Sequence, residues 1–171
     1  MQKRITKNHV ILCIIIFITV VLVFYARSWY NTSKEYYSQN SVIKDVASEI
    51  NEQEIFNYTL ESQKFILYVS SGQNVDIKPF EKMLKKVINK FDVSEDVLYL
   101  NLDNVDVNTF NSHLRSRFAA NQKISSQISD NSVSVIYVFV DGKIVTVLNG
   151  ANNYSSKYYE SFFKKWGFIG D

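Results

Sequence analysis

The chain has 171 residues and a mass of 19.9 kDa, room for one compact domain and a short appendage. Hydrophobic residues make up 46% and aromatics 15%, with five glycines and one proline, which excludes a disordered or collagenous chain. The net charge of +2 divides unevenly: the first 27 residues carry Lys3, Arg4, Lys7 and Arg27 and no acid, leaving 15 bases against 17 acids in the rest. The body lacks the basic footprint that grips nucleic-acid phosphates, so no nucleic-acid partner is expected. A single cysteine, Cys13, excludes an intrachain disulfide, a cysteine-based metal site and a two-cysteine redox couple within one copy. The two histidines, His9 and His113, are too far apart for a metal motif, and neither a metal nor another cofactor is expected.

Val10–Ala26 (VILCIIIFITVVLVFYA) holds no charge. As a helix it covers about 26 Å, near the short end of what crosses a hydrocarbon core of roughly 30 Å. Thr19 can return its hydroxyl to a backbone carbonyl, and Tyr25, Trp29 and Tyr30 sit where an interfacial aromatic belt would lie. Residues 10–29 are therefore read as a transmembrane anchor in membrane lipid. The excess of bases before it places residues 1–9 in the cytoplasm and everything after Trp29 outside, a single-pass membrane protein. A cleaved signal peptide wants small residues before the cut, whereas Phe24-Tyr25-Ala26 puts a bulky ring there. Cys13 lies near the start of the apolar run, the wrong end for lipidation. Residues 30–41 (YNTSKEYYSQNS) are polar and without apolar period and read as a tether, leaving 42–171 as the extracytoplasmic domain. Three N-x-S/T triplets, at Asn31, Asn57 and Asn153, matter only in a glycosylating secretory pathway.

Val42–Ile50 is ambiguous between strand and helix. Asn51 can cap a helix to about Leu60 carrying Ile55, Phe56 and Leu60 at helical spacing. Lys64–Ser70 (KFILYVS) is a continuous apolar run suited to a central strand covered on both faces, and Ser70–Asn74 is a turn. Asp76–Phe91 is an amphipathic helix with Ile77, Phe80, Met83, Leu84, Val87, Ile88 and Phe91 on one face and Pro79 in its first turn. Lys78, Lys82, Lys85, Lys86 and Lys90 are read as its solvated face. A second strand follows at Val97–Leu102, then a helix from Val107 to Ala119 with Phe110, Leu114 and Phe118 on one side and His113 beside them, structural or exposed. After a polar stretch, Asn121–Asn131, two apolar runs, Val133–Val140 and Lys143–Leu148, flank Asp141-Gly142, a strong hairpin signal. Gly150 ends the second run, and Ser155 or Ser156 caps a closing helix with Tyr158, Tyr159, Phe162, Phe163 and Trp166.

The order β-α-β-α-β-β-α, with a possible element in front, resembles the thioredoxin fold. Phe65–Phe80 (FILYVSSGQNVDIKPF) resembles the strand, active-site turn and helix start of the thioredoxin-like bacteriocin transport accessory family, and Val133–Gly150 (VSVIYVFVDGKIVTVLNG) resembles the thioredoxin hairpin. The resemblance implies an α/β thioredoxin-like three-layer sandwich, a mixed sheet flanked by helices, behind one N-terminal transmembrane helix. It also implies where the family's chemistry would sit. Its two cysteines fall on Asn74 and Ile77 and its cis-proline near Ser134, and all three are missing. Thiol–disulfide exchange needs an attacking and a resolving thiolate, so no oxidoreductase activity and no catalytic residue are expected.

What such a domain can retain is its surface. The groove made by Ser71, Gly72, Gln73, Asn74, Val75 and Asp76 on one side and Asn131–Val135, with Val133 and Ser134, on the other is read as a protein- or peptide-binding site for a secreted peptide or export complex, in bacteriocin export, maturation or immunity. The alternatives are a thioredoxin-type oxidoreductase using an intermolecular thiol and a structural subunit of a cell-envelope complex. The chain lacks G-x-S-x-G, Walker A and G-x-G-x-x-G motifs, and the acids Glu95-Asp96 and Asp103/Asp106 read as solvated loop carboxylates without calcium-loop spacing.

Overall fold

The computed structural model describes residues 7–129, 134–150 and 155–170. Lys3, Arg4, Asn131, Val133 and Asn153, which entered the readings above, lie outside the described residues. The chain divides into two units, Met1–Tyr37 and Ser38–Asp171.

Helix α1, Lys7–Gln39, holds the first unit's apolar run. Its segment His9–Ser33 is long and apolar enough to cross a membrane, with its side chains unburied by protein. Thr19 Oγ donates to the Ile15 carbonyl at 2.9 Å, which satisfies the hydroxyl inside the helix. Residues 30–39, read above as a polar tether, continue this helix: with no Gly or Pro among them, nothing in the backbone stops it.

The second unit is built on a five-stranded sheet of order β1-β3-β2-β4-β5. Its strands are β1 (Ser48–Glu49), β2 (Lys64–Ser70), β3 (Val97–Asn101), β4 (Ser134–Val140) and β5 (Lys143–Asn149). The first three run parallel; β4 is antiparallel to β2 and β5 antiparallel to β4. Its register pairs Ser70 with Asn101 on one side and with Ser134 on the other. This mixed sheet, with two α-connected parallel strands joined to a terminal hairpin, is the thioredoxin-like α/β arrangement that the sequence pattern implies.

β2 is central, so both of its faces are covered and its alternate residues feed two cores. Phe65, Leu67 and Val69 join Leu98, Leu100, Tyr137 and Phe139 under Ile55, Phe110, Leu114 and Phe118. Those four come from α2 (Glu52–Glu61), from α4 (Val107–His113) and from the turn after it. Ile66 and Tyr68 join Tyr99, Ile136 and Val138 against Phe80, Leu84, Val87, Ile88, Tyr159 and Phe163 from α3 (Lys78–Phe91) and α6 (Ser156–Lys165). The result is three layers. Short α5 (Gln122–Ser125) lies within the stretch read as polar. There Ile124 and Ile128 are buried in the first core, two apolar residues among many polar ones.

Local signals act where the sequence places them. Asn51 and Glu54 form a reciprocal capping box on α2, at 3.1 and 3.0 Å. Ser155 caps α6 through the Tyr158 amide at 3.2 Å. Asp141 and Gly142 both have positive φ, 48° and 73°, the two left-handed residues of a tight hairpin turn. Val42–Ile50 resolves into both options, a 3₁₀ turn at Val42–Asp45 and the two-residue edge strand β1. The helix expected from Val107 to Ala119 differs: it is α-helical only to His113 and then widens into a π-helical turn, Leu114–Phe118.

Candidate functional site

The turn on which the resemblance places the family's missing cysteines follows β2 directly. Ser71 Oγ donates to Asp103 Oδ1, and the Asn74 amide closes on the Ser71 carbonyl at 3.3 Å. Asn74 Oδ1 then accepts the Asp76 amide at 3.0 Å, capping the 3₁₀ turn Val75–Ile77 that leads into α3. Asn74 is thus a local cap, a role its short amide suits. Ile77 is buried, 5% exposed, an apolar contact in place of a reactive group. Gly72 is buried, while Gln73 and Asp76 are exposed. Val75 stands 65% exposed at the tip of the turn, an apolar side chain that water would rather see covered.

Across the sheet, Ser134 begins β4 beside Ser70. It is only 2% exposed, so its side chain is packed inside and not offered at the surface. Gly150 explains its confinement. The Gly150 amide donates to the Ser134 carbonyl at 2.7 Å, and a Cβ on Gly150 would lie 2.3 Å from Ser134 Oγ, 2.9 Å from its carbonyl oxygen and 3.0 Å from the Phe80 ring. Only glycine fits this approach of the two hairpin ends.

Beneath the turn lies a sealed polar cluster that the sequence reading missed. Glu81, on α3, is fully buried. Its Oε1 accepts from Ser41 Oγ at 2.6 Å, Ser70 Oγ at 3.0 Å and the Tyr68 hydroxyl at 3.1 Å, and its Oε2 accepts the Val42 amide at 2.8 Å. Tyr68 and Ser134 hydroxyls are 3.1 Å apart; since Tyr68 spends its proton on Glu81, Ser134 is the donor there. A carboxylate taken from water costs several kcal/mol unless its lone pairs are matched, and here four donors match them.

The nearest cation is Lys78. The helical pattern sets it on a solvated lysine face, but it is buried at 9% exposure: at the first turn of α3 its stem folds inward and its Nζ reaches 3.9 Å from Glu81 Oε2. Nζ donates to the Gly72 carbonyl at 2.7 Å and to the Asn40 carbonyl, tying the turn after β2 to the residues just before Ser41. Burial lowers its pKa, while Glu81 and Asp103 pull it back up. Burial, reinforced by the charge of Glu81, pushes Tyr68 well above the ordinary phenol value. Lys85 and Lys90 do lie toward solvent, paired to Asp45 at 2.6 Å and to Glu160 at 3.1 Å.

Glu81 was visible in the sequence as a carboxylate on the apolar stripe, four residues after Ile77 and three before Leu84, where an acid needs a buried partner. Its partners were not visible, for they come from positions up to 40 residues away. Of the loop acids, Asp103 reaches across to Ser71, whereas Asp106 acts locally: it caps α4 through Asn108 and Thr109, and the Thr109 hydroxyl holds its carboxyl below the usual range. Burial raises Asp96.

Among the described residues no group of three or more His, Cys, Asp or Glu is placed to hold a metal ion. The only cysteine of the chain, Cys13, lies in α1, so the turn after β2 carries no sulfur.

No protein-family model matches the chain, and no curated protein matches it. Among solved structures it is similar to mitochondrial thioredoxin 3 of Saccharomyces cerevisiae, at 16% identity and a TM-score of 0.45, over 70% of this chain and 94% of that one. Thioredoxin f2 of Chlamydomonas reinhardtii gives 8% identity and 0.45 over 72% and 99%, and a mutant thioredoxin of Halobacterium salinarum gives 13% and 0.43 over 72% and 95%. The thioredoxin-like assignment rests on the strand order and register described above.

Proposed function

We propose that this protein is a membrane-anchored, redox-inactive thioredoxin-like accessory factor that binds an extended peptide or protein segment, outside the cytoplasm, at the groove between the Ser71–Asp76 turn and the start of β4. The observation that carries this reading is the exchange at the turn. Asn74 and Ile77 stand where a dithiol would, one spent as a cap and the other buried, while Val75 beside them projects into solvent. Disulfide exchange requires thiolates, and neither an amide nor a hydrocarbon supplies one. A turn held by local hydrogen bonds and carrying an exposed apolar tip is equipped for contact instead. The long apolar α1 supports membrane attachment through residues 10–29, with the basic N-terminus on the cytoplasmic side. The resemblance to bacteriocin transport accessory proteins makes a secreted peptide, or the complex exporting it, the proposed partner.

The test uses the full chain in lipid nanodiscs against an array of extended peptides. Val75→Arg is expected to weaken the peptides that bind by about tenfold, roughly 1.4 kcal/mol, without changing thermal stability. An insulin-reduction assay in parallel is expected to stay at background. Peptide affinity indifferent to Val75→Arg would move the interaction to another face, and turnover above background would restore an enzyme.

A further inference from the structure

On the opposite face of the sheet from α3, a cleft of about 270 Å³ opens between α2 and the segment running from α4 into its π-helical turn. Its floor is apolar and belongs to the core: Ile55, Phe110, Leu114 and Phe118 are each at most 7% exposed. Phe56, at the mouth, is 52% exposed. The π-helical turn forms one wall. The Ala119 amide bonds the Leu114 carbonyl at 3.1 Å, five residues back, a widened turn that costs regular helix bonding and recurs at functional sites.

Four polar residues line the cleft: Glu52, Gln53, His113 and Arg117. His113 Nδ1 and Glu52 Oε1 are 2.7 Å apart, so the one carboxylate lining the cleft is already engaged. Arg117 lines the cleft as well; its carbonyl accepts Lys143 Nζ at 2.8 Å, but its guanidinium has no partner among the described residues. An apolar chamber with one unspent guanidinium is complementary to an apolar body ending in a single negative charge, since Arg offers a planar pair of donors matched to a carboxylate.

We infer that this cleft is a binding site for a small monocarboxylate with an apolar body, the hydrocarbon lying on Ile55, Leu114 and Phe118 and the carboxylate on Arg117. The volume lies just under the range of ordinary small-molecule pockets, which suits a ligand of one ring or a short chain. The site is separate from the proposed peptide groove and stands or falls without it.

The probe is 3-phenylpropionate, titrated into the full chain in nanodiscs and followed by isoleucine and leucine methyl resonances, with empty nanodiscs as the blank. Saturable shifts at Ile55 and Leu114 are expected, with 3-phenylpropylamine binding at least about tenfold more weakly. Arg117→Met, a substitution at an exposed side chain, is expected to weaken 3-phenylpropionate about tenfold and to leave uncharged 3-phenylpropanol unchanged. The proposal is overturned by shifts confined to other residues, by equal affinity for the amine, by indifference to Arg117→Met, or by no saturation up to about 10 mM, an affinity too weak to signify a site. A phenylalanine-terminated peptide that binds this cleft where 3-phenylpropionate does not would equally overturn it, by replacing the small molecule with a protein partner.

Discussion

Gly150 shows how one residue holds two ends of the site together. A methyl group added there meets the Ser134 hydroxyl, the Ser134 carbonyl and Phe80 at 2.3 to 3.0 Å, so Gly150→Ala is expected to cost about 1–3 kcal/mol through forced displacement of a packed backbone, read as a lower midpoint in urea unfolding. Ser134→Ala in the same chain removes the hydroxyl but not the carbonyl and is expected to recover only part of the loss. In the sequence Gly150 announced only the end of a strand. Its contact with Ser134 exists because the hairpin register sets the two residues at the open end of β4 and β5, a relation between distant positions that no local pattern encodes.

At the scale of elements, α3 carries two kinds of information on one face. Its apolar period predicts a helix packed on a sheet, and the structure has it there; Glu81 and Lys78 interrupt that period and reach partners on other elements. Glu81→Leu is expected to destabilise the fold by about 3–5 kcal/mol, because it takes the nearby carboxylate from Lys78 and the acceptor from the buried Ser41 and Ser70 hydroxyls and the Val42 amide. Glu81→Gln, which keeps one acceptor oxygen, is expected to lose less. Chemical unfolding of the three proteins side by side measures both differences, and a Glu81→Leu protein as stable as the parent would show that the cluster contributes nothing. The caps and turns at Asn51, Pro79, Asp141-Gly142 and Ser155 were legible because they act within a few residues. The π-helical turn was not: Phe110, Leu114 and Phe118 keep a helical spacing whether the backbone bonds four or five residues back.

For the whole domain, three buried tyrosines set the alkaline limit. Tyr68, Tyr99 and Tyr137 all have phenol pKa values raised by burial, Tyr99 to about 12. A phenol whose folded pKa lies above its unfolded value of about 10 stabilises the fold fully below that pH, and the contribution is lost as pH rises from about 10 towards 12. Stability is therefore expected to fall steeply above about pH 10. Tyr99→Phe is expected to flatten that fall while changing stability little near neutral pH, since the hydroxyl's bond to the Ser70 carbonyl is long, at 3.5 Å. Urea midpoints measured from about pH 8 to about pH 11 test this; an unchanged alkaline slope would contradict it.

By itself, the sequence determined what short-range chemistry decides: an uninterrupted apolar helix at the N-terminus, the alternation of helices and strands that ends in a hairpin, and a turn with no sulfur in it. Those follow from hydrophobic period, caps, glycine and the residue inventory, each readable within a window of a few residues. The tertiary structure decided which groups meet. Ser41, Tyr68, Ser70, Lys78 and Glu81 converge because α3 lies across β2 and meets the turn that starts at Ser41, and the cleft is lined jointly by α2 and by the Leu114–Phe118 turn some 60 residues away. Such meetings depend on register and layer packing, which are properties of the assembled chain and of no segment taken alone.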